Sequence, residues 1–225
     1  MNLGIEKRVA LVVGASRGIG LEVARELKAE GCEVQSVSRT QGYDLMTDEG
    51  LEKLFATTAP PDIIVHVMGG SQGYTKTLSS SRDWEKVWRL NLGVAHDINR
   101  QYIPVMQRNK WGRIVHLSSN ATRIPTGYAP YTSAKAALEG YIKIVGNEFS
   151  KDGIIITGVA PGIIHTPGRY WASLDSAAQE AYFNKYLPIG RFGRAEEVAK
   201  AVAFLASDHS AYMAGSILSM DGGAR

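Results

Sequence analysis

The sequence predicts an α/β protein in which one doubly wound parallel sheet is flanked by helices. Short β-branched runs alternate with helix-like segments over all 225 residues. Most of these runs lack polar alternation, as expected for strands that are covered on both faces. Repeated strand, helix, strand order favours parallel strands joined by right-handed crossovers. We expect about seven strands in a single domain, 1–225, because the chain has no internal repeat, linker or composition break.

The individual elements follow from local patterns. The clearest strand candidates are the runs 9–13, 33–38, 62–67, 113–117, 154–159 and 216–219. Apolar residues at helical spacing predict helices at 20–30, 83–107, 134–149 and 195–207. We expect Pro104 to kink or end the second of these helices. Between the second and third strands there is room for only a turn or two of helix, near 48–55.

Composition excludes several classes of protein. Hydrophobic residues make up 44% and charged residues 21%, which is typical of a soluble globular protein. The formal net charge of +3 is small and scattered, so we expect no nucleic-acid partner. Cys32 is the only cysteine, which excludes an intramolecular disulfide and a cysteine metal site, and we expect no metal. No run approaches the ~20 apolar residues of a membrane span, so we expect a cytoplasmic protein without a membrane partner.

A tyrosine and a lysine form the most informative pair in the chain. Tyr131 and Lys135 are four residues apart in YTSAK, so they share one face if this segment is helical. A nearby cation favours phenolate, and we expect Lys135 to lower the Tyr131 pKa from its ordinary value of about 10. Such a tyrosine can exchange protons near neutral pH. The spacing also occurs by chance in many proteins, but together with the glycine-rich turn upstream it indicates an oxidoreductase.

That glycine-rich turn follows the first strand and leads directly into a helix. It consists of Gly14, Ala15, Ser16, Arg17, Gly18, Ile19 and Gly20. Glycines let the backbone turn sharply and let a pyrophosphate approach closely, and the helix start offers free N–H groups. Three residues separate the first two glycines, unlike the common G-x-G-x-x-G pattern. A generic glycine loop therefore stays an alternative to a dinucleotide site.

The end of the second strand indicates which dinucleotide would bind. Many NAD sites carry an acid there that holds the ribose hydroxyls, whereas this chain has Ser38 and Arg39. Arg39 and Arg17 could bind a 2′-phosphate through charge-assisted hydrogen bonds. The alternative is two solvated surface arginines. We favour NADP(H) over NAD(H).

These features, in this order, resemble the classical short-chain dehydrogenase/reductase family, and the resemblance covers essentially the whole chain. GASRGIG resembles the family's cofactor loop, YTSAK its Tyr-x-x-x-Lys motif and GSILSMDGG its C-terminal strand and loop. Other positions that resemble family landmarks are Asp44, Leu45, Gly69, Asn91, Ser119, Pro161, Gly162, Ile164 and Thr166. The family's fold is a Rossmann-like domain, in agreement with the pattern of strands and helices.

The resemblance implies a role for each matching residue. Tyr131 exchanges a proton with the substrate oxygen, while Lys135 lowers the tyrosine pKa and binds the nicotinamide ribose. Ser119 hydrogen-bonds the same oxygen, and Asn91 interrupts its helix to hold a water that relays protons. The implied cofactor-binding residues are Gly14, Ser16, Arg17, Gly18, Ile19, Gly20, Ser38, Arg39, Asp44, Leu45, Gly69, Asn91, Tyr131, Lys135, Pro161, Gly162, Ile164 and Thr166.

The chain departs from the family at two places in the site. The usual Asn-Asn-Ala-Gly after the third strand is here His66-Val67-Met68-Gly69, and we interpret His66 as structural rather than catalytic. The catalytic serine is ambiguous as well. Ser118 lies 13 residues before Tyr131, the gap common in the family, and Ser119 lies 12 before it. The strand motif favours Ser119, with Ser118 as the alternative.

The family resemblance also implies a lid over the substrate at about 165–187. Its aromatic residues would either line an apolar pocket or form the inward face of two lid helices, which we favour. They are Tyr170, Trp171, Tyr182, Phe183 and Tyr186.

The function predicted from these observations is hydride transfer between NADP(H) and a small-molecule carbonyl or alcohol. One alternative is reduction of a 3-ketoacyl group on a carrier protein, although no marked basic patch would receive an acidic carrier. The other is a dinucleotide-sensing regulator without turnover, which we would expect to have lost the tyrosine or the lysine. The resemblance further implies a homotetramer, or a homodimer, packed through the two long helices and the C-terminal strand region.

Overall fold

A computed structural model describes residues 2–124, 127–166 and 174–224. Its strands are β1 (Val9–Val13), β2 (Glu33–Val37), β3 (Ile63–His66), β4 (Gly112–Leu117), β5 (Ile154–Pro161), β6 (Ile164–His165), β7 (Gly193–Arg194) and β8 (Ile217–Met220). Six of them form one parallel sheet in the order β2-β1-β3-β4-β5-β8, and β6 pairs with β7. The α/β fold class is confirmed, with six strands in the main sheet where we expected about seven.

Helices connect these strands. They are α1 (Gly18–Ala29), α2 (Asp48–Thr57), α3 (Ser81–Trp88), α4 (Val94–Asn109), α5 (Ala129–Ser150), α6 (Ser176–Tyr186) and α7 (Ala195–Leu205). A π-helical turn, Arg89–Gly93, lies between α3 and α4, and a 3-10 turn, Asn120–Thr122, follows β4. None of the helices within the described ranges is both long and apolar enough to span a bilayer.

Two of the predicted helices differ from expectation. The helix between the second and third strands is longer than two turns, because the Thr47 side chain caps its start and Leu51 and Leu54 bury one face. The segment predicted as one helix at 83–107 is divided by the π-helical turn, and α4 does not end at Pro104. Proline frees the carbonyl one turn earlier, which belongs to Arg100 on the exposed side of α4, where water can satisfy it.

Strand β1, which has a neighbouring strand on each side, shows why the sheet is buried on both faces. Ala10 and Val12 pack into the apolar core that includes α1 and α7, while Leu11 and Val13 pack into the opposite core with α2 and α4. Strand side chains alternate between faces, so a continuous apolar run is what two covered faces require.

The strand order indicates the edge of the sheet at which a ligand is expected. The order of the strands in the sheet extends from β1 in both directions. On one side lies β2, and on the other lie β3, β4, β5 and β8. Ligands of open α/β sheets bind beyond the carboxyl ends of the strands at such a switch point. The glycine turn after β1, Gly69 after β3 and Ser119 after β4 all lie at this edge.

Candidate active site

The glycine turn between β1 and α1 packs so closely that side chains would not fit. Gly14 has a φ of +94°, and a Cβ there would lie 2.9 Å from the Met68 backbone nitrogen. A Cβ on Gly20 would lie 2.2 Å from the Gly14 carbonyl oxygen. Glycine is therefore required at both positions by close backbone approach, and at Gly14 also by conformation.

The start of α1 is open to an anion. Its N-cap residue, Arg17, forms no capping hydrogen bond with its side chain, and both Ser16 and Arg17 are exposed. Gly18 has a φ of +54°, and a Cβ there would lie 3.2 Å from Thr166 Cγ2. The glycine turn thus meets the segment after β5 at a helix end whose N–H groups favour negative charge.

The segment after β2 combines a buried serine with an exposed arginine. Ser38 Oγ lies 2.9 Å from Thr40 Oγ1 and donates to Gln41 Oε1 at 2.9 Å. Arg39 is exposed, and within the described ranges neither Arg39 nor Arg17 forms a salt bridge. Both guanidinium groups are therefore available to a phosphate.

Asp44 and Leu45 lie just beyond this segment and differ in exposure. Leu45 is buried in the core beside α2, whereas Asp44 is exposed and accepts a hydrogen bond from the Met46 backbone N–H at 3.2 Å. The core therefore holds Leu45 and leaves the Asp44 carboxylate in solvent.

Asn91 lies in the π-helical turn between α3 and α4, where the resemblance implied an interruption of the helix. Its Nδ2 donates to the carbonyl oxygens of Val87 at 2.8 Å and Gly70 at 2.9 Å. Its Oδ1 accepts from the Gly70 backbone N–H at 3.0 Å. The side chain therefore ties the interrupted helix to the segment that follows β3.

Lys135 is buried beside Asn91. Its Nζ donates to the Leu117 carbonyl oxygen at 2.6 Å. A Cβ on Gly69 would lie 2.7 Å from Asn91 Oδ1 and 3.0 Å from Lys135 Nζ, so Gly69 leaves the space that both side chains use. Burial lowers the pKa of Lys135 to about 8, and the Glu139 carboxylate opposes this by raising it.

Tyr131 and Ser119 meet above Lys135. Burial raises the pKa of Tyr131, and a hydrogen bond with the Ser119 side chain lowers it by less. We expected Lys135 to lower this pKa, and in this arrangement that expectation is wrong. Desolvation dominates because Lys135 Nζ lies 5.8 Å from the centre of the tyrosine ring and is hydrogen-bonded to Leu117.

The two candidate serines have different hydrogen-bond partners. Ser118 is buried, and its Oγ donates to Glu139 Oε1 at 2.7 Å. Ser119 accepts from the Ala121 backbone N–H at 3.2 Å and reaches Tyr131. The geometry thus brings Ser119 to the tyrosine and turns Ser118 toward α5.

His66 belongs to a buried polar cluster below the site. Its Nε2 lies 2.8 Å from Asn99 Oδ1, and its ring stacks on His116 with the centroids 4.6 Å apart. Asn99 Nδ2 also donates to the Tyr141 hydroxyl at 3.1 Å. Burial lowers the pKa of His66 to about 4 and that of His116 well below its ordinary value, so both rings are neutral at neutral pH. These contacts support a structural His66.

The segment after β5 completes the edge of the site. Pro161 ends β5, and the Gly162 N–H donates to the Met220 carbonyl oxygen at 3.0 Å. A Cβ on Gly162 would lie 2.8 Å from Asp221 Cα, so the chain passes close to the segment after β8. Ile164 lies in β6, which leads to Thr166.

One helix of the expected lid, α6, is described. Tyr182 and Phe183 pack against Phe192, with ring centroids 6.3 Å and 4.8 Å apart, so they form the inward face of this helix. Tyr186 packs on Tyr182 at 4.9 Å. Tyr170 and Trp171 lie outside the described residues. An open groove of about 760 Å³ runs between this helix, Arg17 and Thr166.

Two family models match the chain. One, described as enoyl-(acyl carrier protein) reductase, matches residues 42–225, and the other, described as short chain dehydrogenase, matches residues 8–44. The chain belongs to the short-chain dehydrogenase/reductase family. Membership makes it an oxidoreductase, as the tyrosine, lysine and glycine-turn motifs predicted.

Relatives of known function extend along the full chain. The 3-oxoacyl-[acyl-carrier-protein] reductase FabG of Escherichia coli is 33% identical, and the match covers 98% of both chains. The crystal structure of L-sorbose reductase from Gluconobacter frateurii, complexed with NADPH and L-sorbose, has a TM-score of 0.86 at 27% identity and covers 99% of this chain and 98% of that one. A 3-oxoacyl (acyl-carrier-protein) reductase from Agrobacterium tumefaciens with NADP bound has a TM-score of 0.84 at 26% identity, over 98% and 95%.

Several residues that lie around Tyr131 and Lys135 were missed in the sequence analysis. Asn99 and His116 contact His66 only because β3 pairs with β4 in register and α4 packs across them, which spacing along the chain does not reveal. Glu139 had a visible signal. It lies four residues after Lys135 in α5, so helical geometry places it on the same face.

Proposed function

We propose that this short-chain dehydrogenase/reductase transfers a hydride between NADP(H) and a small-molecule carbonyl or alcohol, as a carbonyl reductase or alcohol dehydrogenase does. The observation that carries the proposal is the contact of Tyr131 with Ser119 above the buried Lys135. This group lies at the same edge of the sheet as the glycine turn. A proton donor and a dinucleotide-binding turn are the two parts that such a reaction requires.

The residues around the glycine turn fit a dinucleotide with a 2′-phosphate. Gly14 and Gly20 leave no room for side chains under the turn, and the start of α1 offers its N–H groups to a pyrophosphate. Arg17 and Arg39 are exposed cations that can bind a further phosphate, which favours NADP(H) over NAD(H). When bound, this cofactor supplies or accepts the hydride.

The side chains of the chain itself handle the substrate oxygen. Ser119 and Tyr131 hydroxyls hold the carbonyl oxygen, and as the carbon gains a hydride the oxygen takes the Tyr131 proton. Because burial raises the Tyr131 pKa, the phenol is protonated at neutral pH and is ready to act as an acid. The Ser119 hydroxyl, whose hydrogen bond lowers the pKa of Tyr131, then stabilises the phenolate that remains, and Lys135 Nζ lies 5.8 Å from the centre of the ring. Asn91 holds the helix end and Gly70 in place beside Lys135.

The test is turnover by Tyr131→Phe. We expect NADPH oxidation with a reactive carbonyl substrate to fall by about 10²–10⁴-fold, because the proton donor is lost. NADPH affinity, measured by fluorescence, should stay within about threefold of that of the unaltered chain, a free-energy difference of less than about 0.7 kcal/mol. Tyr128→Phe is the matched control, since Tyr128 is an exposed tyrosine in the same segment. Near-normal turnover in Tyr131→Phe would overturn the proposal.

A second candidate is the reduction of a 3-ketoacyl group on an acyl carrier protein. The similarity to FabG of Escherichia coli favours it. Rates with a 3-ketoacyl thioester on a carrier protein and with small ketones separate the two candidates. A kcat/KM for the carrier-bound substrate more than about 10²-fold above that for every small ketone would favour the carrier reaction, since such a ratio reflects differential transition-state binding.

We further propose that the chain forms one domain, 1–225, and assembles as a homotetramer or homodimer. Trp88 and Ile144, on α3 and α5, are 40% and 66% exposed, which suits a helix face that packs against a second copy. Light scattering after size-exclusion chromatography measures the assembly. Cytoplasmic location stays a prediction from the sequence.

A further inference from the structure

Glu139 forms a third member of the stripe that carries the tyrosine and the lysine. Tyr131, Lys135 and Glu139 follow each other at steps of four residues along α5. Side chains at this spacing lie above one another on a helix face. The Glu139 side chain is 19% exposed, so its carboxylate is largely withdrawn from solvent.

The Glu139 carboxylate accepts hydrogen bonds from three side chains of the segment after β4. Its Oε1 accepts from Ser118 Oγ at 2.7 Å, Thr122 Oγ1 at 3.0 Å and Arg123 Nη1 at 3.2 Å. Its Oε2 lies 3.5 Å from Arg123 Nη2. A single carboxylate thus joins Ser118, the residue after β4, and the 3-10 turn that follows to α5.

Ser119 lies inside the segment that this carboxylate holds. Its chain neighbour Ser118 donates directly to Glu139, and Thr122 Oγ1 lies 3.0 Å from both Glu139 Oε1 and the Ser119 carbonyl oxygen, so these two acceptors share its one proton. These bonds hold the backbone that carries the Ser119 hydroxyl, which contacts Tyr131. Hydrogen bonds to a charged acceptor are stronger than neutral ones and hold such a turn firmly.

Glu139 also acts on the charge of Lys135. The carboxylate raises the pKa of Lys135 against the effect of burial. The other titratable groups near this ammonium are Tyr131 on the same helix, His66 on β3 and His116 on β4. Burial lowers the pKa of both histidines, so they are neutral at neutral pH and do not oppose Glu139.

We propose that Glu139 is a positioning residue of this reductase: its carboxylate fixes the Ser119 turn onto α5 and supplies the negative charge that keeps Lys135 an ammonium below Tyr131. The inference rests on the proposed function, since positioning has meaning only for a reaction at Tyr131. A purely structural salt bridge between Glu139 and Arg123 is the competing explanation.

Two variants distinguish the effect of the Glu139 hydrogen bonds from the effect of its charge. Glu139→Gln keeps an oxygen that accepts from Ser118 but removes the charge, and Glu139→Ala removes both. We expect kcat to fall about tenfold in Glu139→Gln and about a hundredfold in Glu139→Ala, with NADPH affinity within about threefold. The alkaline loss of kcat should begin at lower pH in Glu139→Gln, because Lys135 loses its proton more easily without the carboxylate. Glu148→Gln, an exposed glutamate on the same helix, is the matched control.

A second readout does not depend on turnover. The ¹³Cε resonance of Lys135, assigned by its absence in Lys135→Met, should titrate at lower pH in Glu139→Gln than in the unaltered chain and in Glu148→Gln. If that titration is unmoved, or if kcat and its pH profile match the control, Glu139 is structural and the inference is wrong. If the unaltered chain turns over no carbonyl at all, the proposed function fails, while the resonance still decides whether Glu139 acts on Lys135.

Discussion

The candidate active site has two halves, one that we propose transfers a proton and one that we propose binds phosphate, and they are built in opposite ways. On the proton-transfer side, Lys135 and Asn91 are buried and already hydrogen-bonded to Leu117, Val87 and Gly70. On the phosphate side, Arg17 and Arg39 are exposed and form no salt bridge within the described ranges.

This difference fits the function that we propose for each half. Proton transfer needs groups that are oriented before the reaction, because reorganising dipoles during the reaction costs free energy. A phosphate brings its own two negative charges, so the arginines that receive it need only be close and unpaired. Substitutions on the first side should therefore change chemistry and stability together, and substitutions on the second side should change affinity alone.

The largest effect is expected for Lys135→Met. We expect kcat to fall by about 10²–10⁴-fold, as is typical when acid–base machinery is removed. The variant should not be less stable near neutral pH, because a buried ammonium with a pKa lowered from 10.5 to about 8 opposes folding. As pH rises from about 8 toward 10.5, the unfolding free energy of the unaltered chain should rise by about 3 kcal/mol, and that of the variant should not.

Urea denaturation at several pH values measures this difference. Lys143→Met, at an exposed position of the same helix, is the control and should keep both turnover and the rise in stability. A Lys135→Met protein that retained turnover would show that the buried ammonium is not required, and the distinction between the two halves would lose its strongest support.

The next effect concerns acid stability and His66. Its pKa is lowered from 6.5 to about 4, so below pH 6.5 the unfolded chain binds a proton that the folded chain does not. Stability should fall as pH drops from 6.5 toward 4, by about 3 kcal/mol from this residue alone. His66→Asn should remove that part of the loss and leave the part due to His116. His96→Asn, which changes an exposed histidine, should keep the full loss, and equal acid profiles in both variants would contradict the assignment.

Most of the fold could be predicted from the sequence, and part of the site could not. Apolar runs such as 9–13 and the glycine turn are local signals, and the structure places both at the expected positions. The direction of the shift in the Tyr131 pKa was predicted wrongly. Burial causes this shift, and burial depends on the whole fold, so the spacing of residues along one helix does not reveal it. The contact of His66 with His116 likewise depends on the register of two strands that are 50 residues apart.

Gly69→Ala tests how tightly the buried half is packed. A Cβ at this position would lie 2.7 Å from Asn91 Oδ1 and 3.0 Å from Lys135 Nζ, so both side chains must shift. We expect kcat to fall about tenfold or more and stability to fall by about 1–2 kcal/mol, as in other overpacked sites. Gly140→Ala is the control, because a Cβ there meets nothing within 4 Å and alanine suits a helix better than glycine. Stopped-flow turnover and thermal unfolding measure the two effects, and equal behaviour of the two variants would show that the site is loosely packed.

The smallest effect on the protein itself is expected for Arg39→Asp. Its exposed side chain makes no contact that folding needs, so stability should stay within about 0.5 kcal/mol, as for most surface substitutions. NADPH affinity should nevertheless fall about tenfold or more, because an attraction to the 2′-phosphate becomes a repulsion. NADH affinity should change by less than about threefold, since NADH lacks that phosphate.

Arg108→Asp, at an exposed position of α4, controls for the change in net charge. Equal losses for both cofactors would mean that Arg39 is an ordinary surface arginine. If the phosphate is bound only by exposed charges, Arg39→Asp must lower NADPH affinity selectively and leave stability unchanged.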